Sequence, residues 1–239
     1  PAHCVHQRLD ARFEDYGWQR PDCYPRPGES NQDAINREAV TVRTRAGVFD
    51  NSPIGKLEVR GPDTAEFLNR LYINNVLSLA PGRARYGLML NENGVIIDDG
   101  VCTRLDDAHF LVNTTSAGAR RIHDWMERWL QCEWRNMQVQ IEDVTAQWAN
   151  FTIAGPNARE VVFALGCSVD LSDDSLPHMT AACGTIAGLD TRILRVSFSG
   201  ELSFEVNLPA RFAAGFLETV LQAGMEHGIA PYGIEALMV

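Results

Sequence analysis

Two adjacent carboxylates, Asp98 and Asp99, interrupt an otherwise apolar run from Val95 to Val101. If this run is a β-strand, successive side chains point to opposite faces, so one carboxylate can meet solvent while the other points into a cleft. Burial would raise the pKa of the inward carboxyl and prepare it for proton or cation chemistry. Charged residues on edge strands also prevent unwanted strand pairing, so the residues leave both interpretations open.

Glu205 is a second candidate carboxylate, and it lies between Phe204 and Val206 after a glycine turn. If the two flanking apolar residues share the core face, Glu205 points the other way. A carboxylate can accept two parallel N–H bonds, which suits a heterocycle that presents an amino group beside a ring N–H. General burial statistics favour the simpler interpretation, a solvent-facing glutamate on a strand.

The sequence gives little support for a zinc site, a hydrolase nucleophile or a nucleotide-binding loop. The spacing of the potential zinc ligands fits no standard finger, so we predict no metal site from them: His3, Cys4, His6 and Cys23. Ser197 and Ser199 lack the G-x-S-x-G elbow of a hydrolase nucleophile. No dinucleotide fingerprint or phosphate-binding loop occurs. Trp125 and Trp129 are spaced i, i+4, which is typical of a helix that covers a core.

The composition is that of an ordinary globular protein, with 239 residues, 45% of them hydrophobic and 22% charged. The formal charge of −10, from 21 Lys and Arg against 31 Asp and Glu, argues against nucleic acid as a partner. We found neither an apolar run of the roughly 18 residues that a membrane span needs nor a signal peptide, so we expect a cytoplasmic protein without membrane contact. The six cysteines are scattered singly, which favours free thiols.

The strongest organisational signal is an internal repeat. The segment Lys56–Ala65 is echoed by Asn150–Ala158, and the Gly-Pro pairs that start at Gly61 and Gly155 are 94 residues apart. At the same offset, Phe110–Asn113 is followed by Phe204–Asn207. We therefore expect two similar units, each with a strand, a helix, a β-hairpin, a strand and a closing helix, and an α+β fold with antiparallel sheets.

Turns and helix ends in these units can also be placed from the sequence. The first hairpin is predicted to turn at Asn93-Gly94, and the second near Gly188 and again at Gly200-Glu201. Asp63 and Asn157 are candidate caps for the two first helices. The closing helices should begin near Ser116 and Ala210, with these apolar faces: Ile122, Trp125, Met126 and Trp129 in the first, and Phe212, Phe216, Val220 and Leu221 in the second.

Several blocks, in this order along the whole chain, resemble the glycine cleavage T protein and the aminomethyltransferases related to it. They are the two Gly-Pro openings, the block from Tyr86 to Asp99, the Val112-Asn113 strand end and the block from Phe198 to Glu205. The resemblance implies a T-protein-like fold of two interlocked antiparallel-sheet and helix subdomains of ferredoxin-like type, without that family's C-terminal barrel. On this basis we expect an extended N-terminal arm at 1–33, a first folate-binding subdomain at 34–55 plus 148–239, and an inserted second subdomain at 56–147.

By the same resemblance, tetrahydrofolate binds in a pocket between the two subdomains. Asp99 corresponds to the essential acid beside the reacting folate nitrogens, and Glu205 to the carboxylate that grips the pterin edge. Tyr86 and Asn113 correspond to positions that help to line the pocket, and we include Asp98 and Phe198 among the candidate folate contacts. Phe198 replaces the tyrosine of the T proteins, which removes a hydroxyl hydrogen bond.

In detail, the blocks around Gly47, Arg85, Gln147 and Ser197 are similar to one subgroup of the family, the alpha subunits of heterotetrameric sarcosine oxidases. That similarity implies oxidative demethylation of sarcosine in a complex with beta, gamma and delta subunits, with the one-carbon unit captured as 5,10-methylenetetrahydrofolate. FAD, FMN and NAD would be bound by parts of the complex outside this region, and the fragment alone would be inactive. The alternatives are an aminomethyltransferase of the glycine cleavage system and a non-catalytic folate-binding module.

Overall fold

The structure is a computed structural model that describes all 239 residues. It contains two compact units. The first unit comprises Pro1–Pro53, Gln147–His178 and Ala182–Val239, and the second comprises Ile54–Ala146 and Met179–Ala181. None of the helices is long and apolar enough to span a bilayer.

The N-terminal segment of the first unit is folded. It contains helix α1 (His3–Arg8) and the antiparallel hairpin of β1 (Arg12–Asp15) and β2 (Gln19–Cys23). Ala2 and Val5 are buried in the main core of the first unit. Residues 1–33 thus differ from the predicted extended arm, because the few apolar side chains here belong to a core whose other members are far away in the sequence.

Helix α2 (Asn31–Thr44) and strand β3 (Ala46–Asp50) follow. The helix begins after Ser30, whose hydroxyl oxygen accepts the Asp33 N–H at 3.2 Å as an N-cap. All five residues of β3 are buried, which identifies it as an inner strand covered on both faces.

The second unit contains the first copy of the repeat. Its elements are β4 (Gly55–Arg60), α3 (Thr64–Leu71), β5 (Ala84–Leu90), β6 (Ile96–Asp106), β7 (His109–Thr114), α4 (Ala119–Arg128) and β8 (Gln140–Asp143). A short π-helical stretch, Trp129–Glu133, follows α4. The strands form one antiparallel sheet in the order β5-β6-β7-β4-β8.

The rest of the first unit contains the second copy. Its elements are β9 (Trp148–Ala154), α5 (Ala158–Ala164), β10 (Thr180–Ile186), β11 (Leu189–Arg195), β12 (Ser203–Pro209), α6 (Ala213–Ala223), β13 (Ile229–Pro231) and α7 (Ile234–Leu237). The sheet order is β10-β11-β12-β9-β3-β13. Strands β11, β12, β9 and β3 pair antiparallel in succession, and β13 pairs parallel to β3.

Both copies thus have the predicted order of strand, helix, hairpin, strand and helix, and the α+β prediction is confirmed. The first hairpin turns across Asn91–Val95, and Gly94 has a φ of 76°. The second turns at Ala187-Gly188, as predicted. Asparagine and glycine tolerate the left-handed backbone of such turns, which is why the turns could be placed from the sequence.

The two helices of each repeat cover one face of its sheet. In the second unit, α3 and α4 contribute to a core with Leu57, Met89, Cys102 and Val112. Trp125, Trp129 and Trp134 pack against this core, and Trp129 and Trp134 stack with ring centroids 5.1 Å apart. In the first unit, α5 and α6 cover one face, and Phe216 and Val220 are fully buried there as predicted. Phe212 instead belongs to a 3-10 turn, Ala210–Phe212, and its side chain is 36% exposed.

The Gly-Pro openings show why glycine is required in both copies. Gly61 has a φ of 130°, and a Cβ there would lie 2.1 Å from the Gln138 carbonyl oxygen. Gly155 has a φ of 116°, and a Cβ there would lie 2.4 Å from the Val42 carbonyl oxygen. L-residues rarely adopt such φ values, and the approaching backbones leave no room for a side chain.

The predicted caps Asp63 and Asn157 do not cap their helices with their side chains. The Asp63 carboxylate instead accepts the Gln138 N–H at 2.7 Å, and the Asn157 amide donates to the His227 carbonyl oxygen at 3.0 Å. In each case the side chain ties a neighbouring segment to the strand-helix junction, a long-range contact that sequence spacing could not indicate.

Candidate functional site

Asp98 and Asp99 face opposite sides of β6, as the strand pattern predicts, and Asp98 is the buried member of the pair. Its carboxylate accepts the Thr115 hydroxyl at 2.6 Å and the Thr115 N–H at 3.2 Å. Burial raises the pKa of Asp98 above its ordinary value, and the two bonds from Thr115 partly oppose that rise. Asp98 therefore holds the turn that precedes α4, which explains why this helix begins at Ala119 and not near Ser116.

Asp99 is half-buried and lies on the other face of the strand. One of its carboxylate oxygens accepts the Tyr86 hydroxyl at 2.7 Å. This hydrogen bond raises the pKa of Tyr86, whose side chain is 52% exposed, so the phenol keeps its proton at neutral pH. The arrangement is an accessible carboxylate with one fixed donor, and it can hold a cation or accept a proton.

Tyr86, Asp99 and Asn113 share one face of the second unit's sheet. Each alternates with core residues of its own strand, so all three lie on the face away from α3 and α4. Asn113 is buried, and its amide donates to the Gly55 carbonyl oxygen at 3.2 Å. Gly100 lets the strands approach here, since a Cβ on it would lie 2.0 Å from the Asn113 carbonyl oxygen.

Glu205 lies on β12 of the first unit and points away from the helical core, as its neighbours predict. Phe204 and Val206 are fully buried on the core face. Glu205 is half-buried on the opposite face, where the Asn150 amide donates to its Oε2 at 3.0 Å. An ionised carboxylate has two oxygens with about four acceptor sites, which is the kind of group that can receive a pair of N–H groups from a ligand.

Phe198 lies in the loop between β11 and β12, and its side chain is 75% exposed. The loop turns where the Gly200 N–H donates to the Ser197 hydroxyl at 2.9 Å and Gly200 has a φ of 91°. The predicted site residues thus fall in both units. Tyr86, Asp98, Asp99 and Asn113 belong to the second unit, and Phe198 and Glu205 belong to the first.

Two buried asparagines beside Glu205 were missed by the sequence analysis. Asn150 is fully buried and donates both to Glu205 and to the Asn207 Oδ1, the latter at 3.2 Å. Asn207 lies directly opposite Asn150 in the pairing of β12 with β9. The available signal was the amide of Asn150 inside the apolar strand Trp148–Ala154, together with the echo of Asn113 at Asn207.

A family model described as the GCVT N-terminal domain matches residues 2–239. The chain belongs to this family. Among structures of GCVT proteins, the glycine cleavage system aminomethyltransferase T from Bartonella henselae superposes with a TM-score of 0.84 at 25% sequence identity, over 98% of this chain and 59% of the other. The predicted T-protein-like fold is therefore confirmed.

Curated proteins of two kinds are similar to this chain. The chain is 44% identical, over its whole length, to the sarcosine oxidase subunit alpha of Corynebacterium sp. strain U-96, and covers 25% of that protein. It is 40% identical to the corresponding subunit of Rhizobium meliloti, of which it covers 24%. It is 32% identical over 99% of its length to the aminomethyltransferase of Corynebacterium aurimucosum and covers 61% of that enzyme. The chain thus spans about a quarter of the sarcosine oxidase subunits that it matches.

Proposed function

We propose that this chain binds tetrahydrofolate and transfers a one-carbon unit to it, as the folate-binding part of a sarcosine oxidase alpha subunit. The observation that carries the proposal is the difference between two adjacent carboxylates. Asp98 is committed to the turn at Thr115, whereas Asp99 stays accessible with a single phenol donor. Identity of 44% along the whole chain to a sarcosine oxidase alpha subunit supports the choice of complex.

Tetrahydrofolate fits the residues that are present. Its pterin presents an amino group beside a ring N–H, and the Glu205 carboxylate, oriented by Asn150, offers oxygen acceptors for both. Asn113 and Tyr86 supply polar groups on the same sheet face as Asp99. Phe198 supplies an exposed aromatic ring in the first unit. We assign Glu205 to binding and Asp99 to the reaction.

In the proposed step, a flavin bound elsewhere in the complex would accept two electrons from sarcosine, and the resulting methylene iminium of glycine would reach this site. Asp99 holds the cationic charge near the reacting nitrogens and accepts the proton released when the first carbon–nitrogen bond to folate forms. The same carboxyl returns that proton to the departing amine as the second carbon–nitrogen bond closes. Two folate N–H protons move to the amine, so glycine leaves protonated and 5,10-methylenetetrahydrofolate remains. Tyr86 keeps the Asp99 carboxylate in one orientation through this sequence.

Calorimetric titration of the full-length protein with tetrahydrofolate tests the binding proposal. Glu205→Ala should weaken binding by roughly 10- to 100-fold, because hydrogen bonds to a charged group contribute about 1.5–3 kcal/mol. Glu92→Ala removes an exposed carboxylate in the turn between β5 and β6 and serves as the matched control. Absence of tetrahydrofolate binding by the wild-type protein would overturn the proposal.

Turnover of the assembled complex tests the chemical step. Asp99→Ala should reduce formation of 5,10-methylenetetrahydrofolate by roughly 100-fold or more and change the dissociation constant of tetrahydrofolate by less than about threefold, since general acid–base groups contribute about 10²–10⁴-fold. Sarcosine oxidation by the complex without folate should be unaffected. Unchanged methylenetetrahydrofolate formation by Asp99→Ala would favour a folate-binding module without a catalytic role.

The second candidate is an aminomethyltransferase that takes its carbon unit from a lipoyl-bound aminomethyl group. The TM-score of 0.84 to such an enzyme over almost the whole chain favours it as an alternative. Phe198, in place of the T-protein tyrosine, favours the sarcosine oxidase group. Incubation with an aminomethyl-lipoyl protein separates the two, because release of ammonia and methylenetetrahydrofolate is expected only of the aminomethyltransferase.

A further inference from the structure

A chain of buried hydrogen bonds runs through the first unit and includes groups that the proposed chemistry does not use. His6 donates from Nε2 to the Asp50 carboxylate at 2.8 Å, and its Nδ1 lies 2.9 Å from the Tyr24 hydroxyl. Burial raises the pKa of Tyr24 well above its ordinary value, so the hydroxyl keeps its proton. The second oxygen of Asp50 accepts the Ser52 N–H at 3.0 Å.

The chain continues from Ser52 to the candidate ligand-binding carboxylate. The Ser52 hydroxyl oxygen accepts the Asn150 N–H at 3.2 Å, and the Asn51 N–H donates to the Asn150 carbonyl oxygen at 2.9 Å. The backbone of Asn150 is thereby fixed on both sides. Its side-chain amide then donates to Glu205 at 3.0 Å and to Asn207 at 3.2 Å.

The chemistry of these groups fixes the orientation of the Asn150 amide. The Glu205 carboxylate can only accept a hydrogen bond when ionised, so the Asn150 atom facing it must be the nitrogen. Asn207 then has to present its oxygen to the other Asn150 N–H. This orientation leaves the Asn150 Oδ1 and the Asn207 Nδ2 buried without a partner.

Stability alone does not account for this arrangement. An unpaired buried polar group costs about 1–3 kcal/mol, and two apolar side chains of similar size would avoid that cost. The Asn150 amide lies where it can orient Glu205, and the pair leaves two buried polar atoms unpaired. Unpaired buried polar atoms beside a candidate ligand-binding group call for an explanation, and we infer that they orient that group.

We propose that Asn150 is a positioning residue for Glu205, and that the Tyr24–His6–Asp50–Ser52 chain holds Asn150 in place. This inference rests on the proposed function, because Glu205 is taken as the group that binds the folate. Asn150 sets which direction the carboxylate faces and thus how well it receives two parallel N–H groups. The N-terminal segment accordingly contributes to binding through His6 and Tyr24 without touching the ligand.

A double-mutant cycle in the full-length protein tests the inference, with tetrahydrofolate as the titrated ligand. Asn150→Leu should weaken binding roughly 10-fold, in line with the loss of one hydrogen bond to a charged group. In a Glu205→Gln background, the same substitution should change binding by less than about twofold, because its effect acts through the Glu205 carboxylate. Thr191→Val, which removes a buried hydroxyl bond to the Gly184 carbonyl oxygen elsewhere in this unit, is the matched control.

Steady-state kinetics and a second variant complete the design. Asn150→Leu should raise the KM for tetrahydrofolate and leave kcat within about twofold, because Glu205 binds the ligand and does not react. Asn150→Ala should give the same coupling to Glu205 if the larger leucine prevents folding. His6→Leu should weaken binding less than Asn150→Leu does.

The outcomes are distinct. Binding by the wild type with additive effects of the Asn150 and Glu205 substitutions overturns this inference and leaves the proposed function standing. A Thr191→Val variant that weakens binding as much as Asn150→Leu also overturns it, since any loss of a buried polar contact would then suffice. Absence of binding by the wild type overturns the proposed function and this inference together.

Discussion

Substitution of the adjacent carboxylates Asp98 and Asp99 by alanine should separate structure from chemistry. Asp98→Ala removes the acceptor for two bonds from Thr115, at 2.6 and 3.2 Å. Bonds to a charged group contribute about 1.5–3 kcal/mol each, so their loss alone would cost roughly 3–6 kcal/mol. Removal of the buried charge offsets part of that loss, because burial deprives the carboxylate of hydration, as its raised pKa indicates. We expect a net decrease in unfolding free energy of about 2–3 kcal/mol.

Asp99→Ala should change the unfolding free energy by less than about 1 kcal/mol, because its partner Tyr86 is half exposed and solvent replaces the lost bond. Urea unfolding monitored by tryptophan fluorescence measures both variants. Three of the five tryptophans, Trp125, Trp129 and Trp134, lie in the same unit as the substituted strand. Equal stability losses in the two variants, or a loss below about 0.5 kcal/mol for Asp98→Ala, would refute the reasoning.

The contribution of Asp98 to the unfolding free energy should also depend on pH. Its pKa is raised in the folded protein, so the folded state holds the proton more tightly than the unfolded state does. The stabilisation is fully present below the ordinary pKa of 3.8 and is lost as pH rises from there through the raised value. Asp98→Asn keeps the shape and cannot ionise, so its stability relative to wild type should increase across that window. A difference independent of pH would contradict the assignment.

Three further predictions concern other parts of the structure. Gly155→Ala should cost about 3 kcal/mol or more in urea unfolding, since the new Cβ meets a backbone oxygen at 2.4 Å, whereas Gly94→Ala, at a φ of 76° in open space, should cost about 1 kcal/mol. Glu38→Ala should cost about 3 kcal/mol because this fully buried carboxylate accepts two backbone N–H groups at 2.7 and 2.9 Å, and Glu38→Gln should cost less. Tyr86→Phe should lower turnover with folate roughly 10-fold while stability changes by less than about 0.5 kcal/mol, and an equal loss of folate binding would argue against its role through Asp99.

The repeat was predictable because its signals are local. The two Gly-Pro junctions need glycine for backbone reasons that act within a few residues, and the hairpin turn at Asn93-Gly94 needs residues that tolerate a left-handed conformation. The alternation around Glu205 likewise placed this side chain opposite Phe204 and Val206. Short-range sterics and strand periodicity therefore gave the order of elements and the facing of the candidate residues.

The remaining features depend on contacts between residues far apart in the sequence. Nothing near His6 indicates Asp50, 44 residues later, as its partner, so the N-terminal segment could not be recognised as folded. Asp63 has the position of a helix cap, but its carboxylate bonds to Gln138. The sequence also left open which of the two neighbouring carboxylates of β6 is buried, because that depends on which sheet face the helices cover.

The two repeats carry buried polar pairs at corresponding positions of their sheets. Lys56 pairs with Asn113 in the second unit, and Asn150 pairs with Asn207 at the equivalent positions of the first. All four side chains are at most 3% exposed. Lysine and asparagine are rarely buried, and apolar pairs would serve a sheet at least as well. Polar groups occupy the same pair of positions in both copies, opposite α3 and α4 in one sheet and opposite α5 and α6 in the other, so we infer that these positions serve function. Asp99 shares a face of its sheet with Asn113, and Glu205 shares a face of its sheet with Asn207.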